Sequence, residues 1–167
     1  MGYTHYYRYA PSDPAFRSAW PRILADARRI VERVGAGGIV LNDIPDDLPP
    51  VTDERILFTG SVADELDGEP LEIRPTADHP QPFQYDPPRS IRTFCKTNRH
   101  PYDLAVCAVL LRCHMLAPEA FYIDSDGEWD DEWANGATKP PPLGLSPRAL
   151  VAELFGDVPT ANPFTPT

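Results

Sequence analysis

No apolar run in the 167-residue chain approaches the roughly 18 residues that a membrane-spanning helix needs, and the longest, 104–111, is less than half of that. The opening Met-Gly-Tyr-Thr-His-Tyr carries neither a basic stretch nor a following apolar one, so no secretory signal is expected. Gly2 stands where a myristoylated glycine would, but Tyr6 fills the position that such a signal gives to Ser or Thr. Cysteine is sparse. Cys95, Cys107 and Cys113 are odd in number and close together, which excludes a disulfide framework and points to free thiols in a reducing cytoplasm. Positive charge is short as well: 15 Lys and Arg stand against 25 Asp and Glu, a net charge of -10. That balance argues against general binding to nucleic-acid phosphates. The excess lies in proline, with 21 residues beside 10 glycines and no period, which reads as a loop-rich globular domain. At 42% hydrophobic and 10% aromatic, the chain has enough apolar material for a core.

Charge is segregated along the chain. Residues 1–34 carry net +3, 35–86 net -10, 87–117 net +4 and 118–167 net -7. Folding that joins the two cationic stretches creates a local positive site on a negative protein.

Residues 3–9 alternate as a strand, with Tyr3, His5, Tyr7 and Tyr9 on one face and Thr4, Tyr6 and Arg8 on the other. Ser12-Asp13-Pro14 marks a helix start, and apolar residues from Phe16 to Val34 recur at helical spacing. Pro21 inside that pattern predicts a kink or a split, and Gly35 a C-cap. Short strands are expected at 39–42, 56–60, 71–74 and 90–96, with an extended proline-rich loop over 75–88. The second helix, 101–116, is apolar nearly all round and therefore buried. Residues 121–129 read as a hairpin turning at Asp126-Gly127, residues 147–155 as a short helix, and the chain from Asn162 as a frayed tail. The expected architecture is α+β: a mostly antiparallel sheet packed by helices 14–34 and 101–116 in a domain over 1–135, followed by a proline-rich extension over 136–167.

The densest chemistry is the segment from Arg89 to Asp103, where Arg89, Arg92, Lys96, Arg99 and His100 fall just before or at a helix start capped by Thr97 or Asn98. Unpaired N–H groups at a helix start attract anions, and the cationic side chains add to that field. Together with the tyrosine-rich first strand, this predicts a pocket for a small anionic ligand such as a nucleotide. Tyr3, Tyr7, Arg92, Lys96, Asn98, Arg99 and Tyr102 are its binding residues, and His5, His100 and Asp103 its acid/base candidates. The competing reading pairs these cations with the acidic residues of 35–86 and leaves no site.

Cys95, His100, Cys107, Cys113 and His114 lie within twenty residues, and Asp103, Cys107 and His114 share a helical face, but no Cys-x-x-Cys or His-x-x-x-His pair occurs. Core packing therefore outweighs zinc, and no metal or cofactor is expected. Cys95 beside Lys96, Arg99 and His100 has the surroundings of an activated thiolate, a lesser reading. The acidic run 124–132 fails as a calcium loop, because Gly127 stands fourth rather than sixth and Asn135 stands where the twelfth-position Glu belongs. It reads as a solvated face or, more sharply, as the surface of a phage-related interaction protein that blocks a host enzyme. Expected partners are thus a small anion or a host protein, with no membrane.

Met1-Gly-Tyr-Thr-His-Tyr6, Phe94-Cys-Lys-Thr97 and Pro101-Tyr-Asp103, with an Asp-Gly acidic stretch ending near a Trp, together resemble a family of small proteins from actinobacteria and their phages over most of the first 135 residues. The resemblance implies a shared site of Gly2–Tyr6 with Lys96, Tyr102 and Asp103, and it assigns no catalytic role. Pro21 and the proline-rich tail after Lys139 depart from the pattern.

Overall fold

The computed structural model describes residues 2–41, 48–76, 84–86 and 90–164. The alternating aromatic segment forms β1 (Thr4–Tyr9), rich in the ring-bearing residues that suit a pleated surface. With β5 (Gln84–Asp86), β6 (Ser90–Lys96) and β7 (Phe121–Ser125) it builds a four-stranded antiparallel sheet in the order β5-β6-β1-β7. A second, three-stranded antiparallel sheet joins β2 (Val51–Thr52), β3 (Arg55–Phe58) and β4 (Leu71–Ile73). The fold is α+β, with two small sheets where one was expected.

The first helix, α1 (Pro14–Ala36), starts as read: Asp13 accepts the Ala15 N–H at 2.8 Å and proline opens the first turn. It is not split at Pro21. Pro21 and Arg17 both face solvent, so the Arg17 carbonyl that loses its donor stays open to water. The C-cap is Gly37 rather than Gly35. Helix α2 (Asp103–Leu116) begins two residues later than expected and is buried without interruption from Asp103 to Cys113. It packs against α1, β7 and α4 (Pro147–Phe155). One ion pair crosses this core: Arg112 on α2 donates to Asp26 on α1 at 2.7 Å, and both side chains are about 95% or more buried.

Other expectations change. Residues 39–41 form no strand, and Asn42 lies outside the described residues. The hairpin over 121–129 does not form. β7 pairs with β1 instead, and the chain turns at Asp126-Gly127 into the short α3 (Glu132–Asn135), burying Trp129 and Trp133. Of the 75–88 loop, 84–86 is the edge strand β5, and 77–83 and 87–88 lie outside the described residues, as does Arg89. The C-terminal segment belongs to the core. Leu150 and Val151 are fully buried, and Phe164 packs on Trp129 and Trp133 and bridges to Ile123 rather than fraying.

The two sheets are stitched by tyrosines. Tyr7 donates its hydroxyl to the Glu72 carbonyl at 2.9 Å and accepts the Glu72 N–H at 3.2 Å, while Tyr9 accepts the Arg74 N–H at 3.0 Å. These bonds satisfy the edge of β4 that faces away from β3. Tyr7 is thus a core residue spent on backbone, not a ligand contact. Tyr7→Phe strands two buried backbone groups, so it should lower unfolding free energy by roughly 1–3 kcal/mol, read as a reduced urea midpoint with an unchanged slope.

Candidate functional site

Two chemistries predicted for one pocket lie on opposite faces of the four-stranded sheet. Alternation along β1 sends His5 and Tyr7 inward to the helices and Tyr6 and Arg8 outward; β6 sends Cys95 inward and Arg92, Phe94 and Lys96 outward.

Inward lies a closed polar network. His5 is fully buried, Asp103 is 4% and Cys107 1% exposed. Asp103 and Cys107 share one face of α2 at i and i+4, directly below His5 of β1. His5 Nε2 lies 2.7 Å from Asp103 Oδ1 and 3.2 Å from Cys107 Sγ. The Thr97 hydroxyl donates to the same Asp103 oxygen at 2.5 Å, and the Cys107 thiol donates to the other at 3.5 Å. On the far side of the ring, Ser125 Oγ lies 2.8 Å from His5 Nδ1 and already accepts from the Gly127 N–H at 2.9 Å and the Trp133 Nε1–H at 3.1 Å. With both lone pairs of Ser125 occupied, its proton goes to Nδ1. His5 therefore carries its own proton on Nε2 and donates it to Asp103. The rings of Tyr3 and Trp133 meet His5 edge-on at 4.9 and 5.4 Å. A Cβ at Gly127 would run into the hydroxyl of the buried Tyr3, so glycine allows the close approach at that turn.

The electrostatics follow. Burial acts to raise the Asp103 carboxyl, but the His5 ring and the Thr97 and Cys107 donors outweigh it and hold the group below its ordinary value. Burial, then the neighbouring Asp103, push the Cys107 thiol well up. Burial does the same to Cys95, which makes it an inert core thiol rather than an activated one. His5, Asp103 and Cys107 are also the donors among the described residues grouped as a metal would need, all within 4.8 Å. A protonated Nε2 cannot ligate, so metal binding there would first require Ser125 to be rearranged.

The remaining predicted residues disperse. His100 donates from Nδ1 to the Asp67 carbonyl at 2.7 Å and does not join His5. Tyr102 is buried and donates to the Glu69 carbonyl at 2.8 Å. The helix starts at Asp103, beyond Thr97 and Asn98, so neither caps α2, whose N-cap, Tyr102, has no side-chain cap bond. Asn98 and Arg99 occupy the left-handed region at φ 55 and 63, forming the tight turn. Arg99 is fully employed: its guanidinium covers the Tyr3 ring at 4.1 Å, donates to the Ala137 carbonyl at 3.0 Å and reaches Glu132 at 3.5 Å. Lys96 is exposed with its side chain beside Gly2. A convergent Arg92–Lys96–Arg99 anion site is not what the fold builds.

Outward, the register makes a different constellation. Arg8 faces Arg92 on β6 and Tyr122 on β7, and Tyr6 faces Phe94 and Asp124. The Arg8 guanidinium lies 4.6 Å from the Tyr122 ring centre, and Tyr6 and Phe94 are 6.5 Å apart. Tyr6, Arg8, Arg92, Tyr122 and Asp124 line a shallow cavity of about 200 Å³. The outward set was readable as the second face of the first strand; its partners depend on register and were not.

Two measurements check the buried network. Because the folded Asp103 carboxyl is depressed, its stabilising charge is fully present above the unfolded value near pH ~4 and is lost as pH falls through the lower folded value. Asp103→Asn should therefore cost roughly 1–3 kcal/mol at neutral pH, with the gap to wild type closing in denaturation curves taken progressively below about pH 4. In addition, Cys95, Cys107 and Cys113 should resist Ellman's reagent in the native protein and all react once it is denatured. No family model, curated protein or solved structure matches this chain, so the geometry alone carries the functional reading.

Proposed function

We propose that the protein is a cytoplasmic binding domain for a small anionic molecule carrying a phosphate or carboxylate, held on the outer face of the four-stranded sheet. One observation carries the reading: Arg8 and Arg92 stand directly opposite each other across β1 and β6. A guanidinium on an open sheet face is a charge-assisted donor for a phosphate or carboxylate. Among the described residues Arg8 has no carboxylate partner, although the chain carries ten more acidic than basic residues. The competing reading pairs the cations of 89–103 with the acidic residues of 35–86; Arg99 instead pairs with Glu132, outside that stretch.

The buried His5–Asp103 pair cannot reach a ligand on this face, since the sheet stands between them. Acid/base chemistry is accordingly no part of the proposal, and His5, Thr97 and Asp103 are assigned to holding the sheet against α2. The cytoplasmic placement rests on the three buried free thiols; no described helix is long and apolar enough to cross a membrane.

At low ionic strength, inorganic phosphate or pyrophosphate should raise the melting temperature, and Arg8→Ala should weaken that binding about tenfold with the fold intact. A melting curve of wild type unmoved by either anion would overturn the reading.

A further inference from the structure

The outer sheet face is ordered in rows, and the rows differ in chemistry. Arg92, Arg8 and Tyr122 form one; Phe94, Tyr6 and Asp124 form the next along the strands. Same-face residues two apart on a strand are separated by about 6.6–6.8 Å. That is close to the spacing between the phosphate and the ring of a nucleoside monophosphate, so one such molecule laid along the strands spans both rows.

The second row is suited to a flat ring. Tyr6 is 44% exposed, the one large aromatic side chain among the exposed hydrophobics of the described residues, and it sits beside Phe94 at a tilt of 47°. An exposed aromatic on a sheet face offers stacking worth about 1–3 kcal/mol per base, and it does so for any ring with a π-face. The two rows of the cavity differ in charge, with the Arg8 guanidinium in one and Asp124 in the other. This fixes a direction: the anionic group lies at the arginine end, and a neutral ring, presenting N–H donors to the carboxylate, lies at the Asp124 end. A second anionic group at that end would meet Asp124 and be disfavoured.

We infer that the ligand of this face is a nucleoside monophosphate or a similar ring-bearing monophosphate, its phosphate at Arg8 and its ring stacked on Tyr6. The inference rests on the anion-binding reading above and adds the ligand class. A long single strand is a poor fit, since the net charge of -10 opposes an extended polyanion.

The test compares inorganic phosphate, a nucleoside and the matching nucleoside monophosphate by calorimetric titration at low salt. The expected result is that the monophosphate binds at least tenfold more tightly than either part. Tyr6→Ala, a change at an exposed side chain, should erase that tenfold preference while phosphate binding persists; Arg8→Ala should weaken both. Equal affinity for phosphate and monophosphate in wild type, or a Tyr6→Ala protein that keeps the preference, overturns the ring platform and leaves the anion site standing. Absence of binding by phosphate and monophosphate alike overturns both.

Discussion

A carboxylate almost cut off from water sits at the first residue of α2, and the architecture depends on how it is held. Asp103 receives His5 from the central strand, Thr97 from the turn after β6 and Cys107 from its own helix. An ionised carboxyl in such a place is tolerable only when several donors surround it. One of the donors, His5, lies 98 residues away in sequence on the central strand, so satisfying the charge also fixes the sheet against the buried helix. The second layer extends the constraint: Ser125 sets the proton on His5, and Trp133 and Gly127 set Ser125. A residue chosen from the sequence for acid/base chemistry thus becomes the keystone of a core.

Much of the fold was legible because its signals are local. The alternation of 4–9 and 90–96, the Asp-Pro start of α1 and the Ser-Pro start of α4 each state their own conformation through a pleat or a cap. The failures came where a local signal met a tertiary demand. Asp126-Gly127 reads as a hairpin turn, but the two tryptophans that follow bury large apolar surfaces beneath the sheet, and no second strand can form. Thr97 reads as a helix cap, yet α2 starts beyond it at Asp103, and the Thr97 hydroxyl donates to that buried carboxylate.

The candidate site was half legible for the same reason. Which residues share a face of β1 follows from a period of two, but which residue of β6 or β7 lies opposite is a matter of register, and nothing local states it. Hence the sequence points to Arg92 without Arg8, and it assigns to a pocket the inward Tyr7, whose hydroxyl is spent on the backbone of β4. The sheet itself then separates the buried relay from the cationic face.

The last described turn of the chain has a consequence for assembly. β7 is an outer strand, and open strand edges invite pairing with a neighbouring molecule. Phe164 bridges to Ile123 in parallel and anchors its ring against Trp129 and Trp133. That single bridge occupies the middle residue of the open border, the place where a strand from a neighbouring molecule would have to pair.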